Sequence, residues 1–235
     1  RDEFTKILLS NYPRRGFKLL YRLGLLRIIM PELQKCAGIY RESFCEGGDL
    51  LDHTLDMAAS LPPDLNLRLS VLMYSMKSIS RFDEKKEIMV KILQRIKFKN
   101  AVIKKVTVLT KENWQVLNFS KKINIRQLAS RIGMENLEDI WELKKALIRG
   151  SRSSERFKSV EIERAENNIR EILQEKPPVS LKDLAINGKD LIELGYQEGK
   201  KIGQILKELL NLVLEKPALN QKKILLTWVK EKNSL

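Results

Sequence analysis

Lys200 and Lys201 lie between Gly199 and Gly203 at the start of an apolar-periodic run, in the stretch Ser180 to Leu214, SLKDLAINGKDLIELGYQEGKKIGQILKELLNLVL. Glycines at a helix start let another backbone come close, while the open N–H groups and the positive dipole end face outward, so this pattern suits an anion, phosphate first. Ile202, Ile205, Leu206, Leu209 and Val213 supply the apolar face that makes the run a helix. Upstream, Val179-Ser180 offers a cap, Asn187-Gly188 breaks the chain before a turn over Asp190 to Leu194, and Gly195 stops that turn. The same glycines fit a plain helix-turn-helix packing corner equally well.

Other basic residues gather in sets along the chain. Arg14-Arg15 precede Gly16-Phe17; Lys97, Lys99, Lys104 and Lys105 mark one helix and its lead-in; Lys121, Lys122 and Arg126 mark another helix start. Lys144, Lys145, Arg149 and Arg152 run into a glycine-serine connection, Gly150 to Ser154, and Lys189 joins Lys200 and Lys201 in the tail. Any one of these lysines reads first as a solvated surface charge, and it is the sets that point to phosphate contact. The tail lysines come first, then Lys104-Lys105 and Lys144-Lys145. Trp114, Trp141 and Trp228 have the type to stack on bases, but each sits in an apolar helical pattern that reads as core. Phe17, Leu20 and Leu23 read as core too.

Catalytic and metal chemistry find little to work with. Two-metal-ion catalysis asks for closely spaced carboxylates on a strand. Glu161 and Glu163 have the spacing, yet they fall in a charged helix, where it points them apart. Gly47-Gly48-Asp49 is similar to a phosphate loop but lacks the preceding strand and the following Lys-Ser/Thr, so a plain loop is expected. Cys36, Cys45 and His53 make no zinc-site spacing, and no metal ligand or catalytic residue is expected. Two cysteines in such a chain fit a reducing, cytoplasmic setting.

The elements that must position these residues are helices. Apolar residues recur at i, i+3 and i+4, as in Leu65, Leu69, Leu72, Met73, Met76 and in Ile88, Ile92, Leu93, Ile96, whereas alternation is nearly absent. The pattern predicts an all-α fold. Breaks fall at Asn11-Tyr12-Pro13, Met30-Pro31, Gly47-Gly48, Pro62-Pro63, Phe98-Lys99-Asn100, Gly133, Gly150 to Ser154, Lys176-Pro177-Pro178 and Lys216-Pro217. No apolar run reaches membrane-spanning length. Among 235 residues, 44 basic side chains face 30 acidic ones for a formal charge of +14, spread along the chain; nucleic acid is the leading partner for this balance and anionic membrane the second. The chain opens at Arg1 inside a helical pattern, RDEFTKILL, which reads as part of a longer parent.

In this order the landmarks resemble the non-catalytic part of bacterial tRNA nucleotidyltransferases, the CCA-adding and A-adding enzymes of the poly(A) polymerase family. RDEFTKILL resembles the end of the family's neck, and GFKLLYRLGLLRIIMPEL its helix, Leu-Leu step and Pro-Glu-Leu. DHTLDMA resembles its His-Thr-Leu segment, RIKFKNAVIKKV its basic body helix, and SLKDLAINGKDLIELGYQEGKKIGQIL its tail.

The resemblance implies an elongated multi-helical body with a small C-terminal helical tail. Residues 1–30 would close the neck and begin the body, 31–150 would form the body, and 151–235 the C-terminal helix and tail hairpin. Residues 50–80 would hold a degenerate His-Asp-like region: Tyr74-Ser75 stand where a metal-binding His-Asp pair would be, so His53 is expected to be packed or capping and no phosphohydrolase activity is expected. The family's chemistry lies in a head that this stretch does not match, so Mg²⁺ and ATP or CTP would belong to that head, and the chain itself would need no cofactor. Expected partners are tRNA and a catalytic head domain or subunit, without a membrane. RNA contacts would come from Lys200, Lys201, Lys189, Gly199, Gly203, Lys104, Lys105, Lys144, Lys145, Arg149, Arg152, Arg14 and Arg15. Half of a split enzyme, or a helical nucleic-acid-binding or interaction scaffold, are the alternatives.

Overall fold

The computed structural model describes residues 1–40, 48–77, 86–150 and 159–233. Within them the chain is helical throughout, with no strand among the described residues, and it divides into two compact units, Arg1–Leu117 with Glu138–Ser159, and Asn118–Leu137 with Val160–Leu235.

The first unit begins with α1 (Asp2–Leu9), α2 (Pro13–Arg22), α3 (Leu26–Ile29) and α4 (Pro31–Gln34). Pro13 and Pro31 each open a helix at a position whose N–H needs no partner, which is why the Tyr12-Pro13 and Met30-Pro31 breaks are starts as well as stops. Next come α5 (Leu50–Ser60), α6 (Leu65–Lys77), α7 (Lys86–Arg95) and α8 (Asn100–Lys111). Asp49 caps α5 by accepting from the Asp52 N–H, and its other oxygen takes the Gly38 N–H.

Helix α6 is buried on all sides from Leu67 to Met73, because α1, α4, α5 and α8 surround it. That leaves Arg68 inside, and its guanidinium donates to the carbonyls of Leu8, Ser10 and Leu61, closing the ends of α1 and α5. Phe4 packs edge-on against Phe17 at 5.3 Å, and Leu26, Met30, Leu33, Leu51, Leu55, Leu69, Leu72 and Val106 complete the core. Phe17 is core as expected and Leu20 lines it. Leu23 is not core: it lies 62 % exposed at the end of α2, because Gly24 turns the chain away there with φ +71°.

The second unit carries α9 (Lys122–Ile132), α11 (Ser159–Glu175), α12 (Gly188–Glu193), α13 (Lys200–Glu215) and α14 (Lys222–Asn233), while α10 (Leu137–Arg149) belongs almost entirely to the first. Leu184, Ile186, Leu191, Leu209, Val213, Leu225 and Val229 form its core. Residues 118–137 fall with this unit, although the sequence places them in the body, and the contacts explain why. Arg126 is buried and donates to the Leu214 and Glu215 carbonyls that end α13, Asn168 donates to the Phe119 carbonyl, and Lys122 pairs with Glu171 and Glu175.

Candidate nucleic-acid interface

Two reciprocal caps build the tail hairpin. Ser180 and Asp183 form the first around a short helical turn, and Asn187 and Asp190 the second at the start of α12. Lys222 and the Asn187 N–H hold the Asp190 carboxyl below the usual carboxylate range. Asn220 fastens the hairpin by accepting from the Ala185 N–H and donating to the Asp183 carbonyl. Helix α12 then ends on Gly195 at φ +94°, with the Gly195 N–H bonded to the Ile192 carbonyl and the Tyr196 N–H to that of Leu191, the paired bonds of a glycine stop.

Residues Leu194 to Lys201 line an open groove of about 510 Å³ at the start of α13. Gly199 is the N-cap at φ +145° and no side chain caps the helix, so its first N–H groups have no side-chain partner, and Lys200 and Lys201 are exposed beside them. The Lys201 ammonium sits 5.5 Å above the Tyr196 ring. A Cβ at Gly203 or Gly199 would meet no atom within 4 Å, whereas one at Gly188 would touch Ile202 Cγ2 at 3.4 Å. The positive φ therefore accounts for Gly199, whereas an added Cβ at Gly188 would make ordinary contact and one at Gly203 none, so packing demands glycine at neither. Lys189 is exposed at the start of α12.

The body residues divide. Lys104 and Arg149 are exposed; Lys105 pairs with Asp139; Lys145 pairs with Glu142 at 2.7 Å and lies 5.8 Å from the Trp141 ring. Lys144 cannot serve as a phosphate contact in this fold. It is 5 % exposed, its ammonium donates to the Trp114 and Gln115 carbonyls at 2.8 and 2.9 Å, and burial pushes its pKa below the ordinary lysine value. Arg126, also in the sequence sets, is used internally as described above. Arg14 pairs with Asp52 and Asp56, and Arg15 is exposed. Arg152 lies outside the described residues, as do Ser151 to Ser154, Cys45 and Gly47.

The residues set aside as non-functional also have identifiable surroundings. His53 is buried, its ring bonded to the Gly150 carbonyl and its pKa lowered by desolvation. Tyr74 stacks on Trp114 at 3.8 Å and donates to Asn113 Oδ1, while the Trp114 indole donates to the Leu109 carbonyl. Trp114 and Trp141 are core, and Trp228 is half-buried under Lys232. Glu161 and Glu163 are both exposed on α11. The sequence sets passed over Tyr12, Lys18 and Arg22, whose spacing with Arg15 on one helix face was the available signal.

The described residues are all-α and present exposed basic residues at helix starts, Lys189 on α12 and Lys200 and Lys201 on α13. Residues 78–229 match the family model tRNA nucleotidyltransferase domain 2, and residues 1–36 match one described as "Probable RNA and SrmB- binding site of polymerase A". The first match spans well over half of the chain, which therefore belongs to the tRNA nucleotidyltransferase domain 2 family. No curated protein and no solved structure gives a significant match to the chain. No helix of the described residues is long and apolar enough to cross a membrane.

Proposed function

We propose that this chain is the tRNA-binding body and tail of a tRNA nucleotidyltransferase, holding the acceptor stem and elbow of tRNA through phosphates while a catalytic head elsewhere adds CCA, CC or A. Shape, read through the spacing of backbone contacts, sets specificity in this reading. The carrying observation is the start of α13, where an uncapped helix N-terminus, two exposed lysines and an open groove coincide. Backbone N–H groups and ammonium groups there would share one or two phosphates. Lys189, Lys104, Arg149, Arg14 and Arg15 supply further contacts, with Lys105 and Lys145 available once their ion pairs open. Mg²⁺ and ATP or CTP belong to the head.

The test is equilibrium binding of tRNA to the 235-residue chain across a range of salt, with duplex DNA as competitor. Affinity should fall linearly with salt on logarithmic axes, and tRNA should outcompete DNA. Changing Lys200 and Lys201 together to Glu should weaken binding severalfold and flatten the salt slope by about two. Unchanged affinity in that variant would move the site away from α13, and equal binding of duplex DNA would favour a general nucleic-acid scaffold.

A further inference from the structure

Where α11 ends and the tail begins, the second unit holds a groove of about 620 Å³. Met134, Leu173 and Pro178, half-buried, and Pro177 and Val179, buried, line it, so its walls are largely hydrocarbon. Glu135 and Asp183 line the same groove from two separate segments, both exposed and neither with an ion-pair partner among the described residues. In a chain with 44 basic side chains against 30 acidic ones, two carboxylates left unneutralised beside one apolar wall are the exception.

Both carboxylates are held in place. Asp183 Oδ2 accepts from the Val179 N–H, the Ser180 N–H and the Ser180 hydroxyl at 3.1, 2.8 and 2.9 Å, which fixes the group and leaves Oδ1 open. Partial burial works against its charge, but these donors outweigh burial and keep the carboxyl below the usual carboxylate range. Glu135 Oε1 accepts from the Asn136 side chain at 3.2 Å. The backbone beside them is strained: Lys176 ends α11 at φ +44°, its N–H bonded to the Ile172 carbonyl. Side chains other than glycine rarely adopt this region, and the residue before a proline is steered to extended backbone instead. The exposed Lys176 side chain is the one cation lining the groove among the described residues.

We infer that this groove binds an aliphatic diamine, its methylene chain against Met134, Leu173 and the two prolines and its ammonium groups on Glu135 and Asp183. The inference goes beyond the RNA-binding reading and does not depend on it. Phosphate is repelled by the two carboxylates. A bare metal ion fits poorly, because no group of three His, Cys, Asp or Glu side chains among the described residues is placed to hold one, and hydrocarbon walls supply no oxygen ligands. The volume falls within the range of small-ligand sites, and an apolar wall with carboxylates beside it matches a chain that is hydrocarbon in the middle and charged at its ends.

The experiment is calorimetric titration of putrescine, a diamine, into the full chain freed of nucleic acid, with butylamine, which has the same carbon chain and one ammonium, as control. The protein's charge of +14 repels cations in general, so saturable binding of putrescine reports a local site. Butylamine should bind more weakly. Glu135→Gln, which keeps the oxygen that accepts from Asn136, should weaken putrescine roughly 2- to 5-fold. Lys176→Gly removes the opposing ammonium and suits the positive φ, so it should preserve the fold and tighten putrescine by a similar factor. No saturable binding to the wild type, equal binding of butylamine, or unchanged affinity in both variants would overturn the inference and leave tRNA binding untouched. A Lys-Leu-Lys peptide that binds more tightly than putrescine and is weakened by Glu135→Gln would also overturn it, by making the groove a protein-docking surface.

Discussion

Lys144 and Lys145 are neighbours in sequence and have opposite duties. Lys145 lies partly open against Glu142, whereas Lys144 turns inward and ties α10 to the turn after α8 through two carbonyls. A buried ammonium persists only where its protons are satisfied, and here the Trp114 and Gln115 carbonyls do that. Removing it leaves acceptors without a donor, which costs about 1–3 kcal/mol. Lys144→Met, which keeps the stem and removes the charge, should therefore lower stability by that amount in denaturant unfolding, with tRNA affinity unchanged. A variant that unfolds like the wild type but binds tRNA less well would return Lys144 to the RNA surface. Nothing in the residue type separates the two lysines. Their difference is made by a turn some thirty positions earlier in the chain, and the same holds for Arg68 and Arg126, whose carbonyl partners arrive from other helices. Buried cations are illegible in a sequence because their partners are backbone atoms, which every residue has.

Elements were more readable, because what starts and stops a helix is local. Pro13, Pro31 and Pro217 open helical turns, Asn187 caps α12, and Gly133 and Gly195 take the positive φ that ends α9 and α12. What could not be read was where an element packs: residues 118–137 carry no mark of joining the C-terminal unit, since that follows from Arg126 meeting the end of α13. Gly203 separates the two kinds of information. It lies inside α13, where glycine costs roughly 0.5–1 kcal/mol relative to alanine, and the space over it is open. Gly203→Ala should raise the stability of the second unit by about that much in thermal unfolding. If an RNA backbone comes close there, the added methyl should also weaken tRNA binding, so a more stable but weaker-binding variant is the expected outcome. Greater stability with unaltered affinity would show that no ligand approaches Gly203.

At the scale of the molecule, a charge of +14 on two helical units is suited to long-range attraction of a polyanion. Transfer by two metal ions requires carboxylates that converge on a point, and the pair with the one-residue gap does the opposite. Glu161 and Glu163 are two positions apart on α11, so their side chains leave the helix about 200° apart, both into solvent. Among the described residues no group of three His, Cys, Asp or Glu side chains is placed to hold a metal ion. Incubated with tRNA, Mg²⁺ and labelled ATP or CTP, the isolated chain should bind the tRNA without incorporating label. Incorporation above a protein-free blank would overturn the division of labour between this chain and a catalytic head.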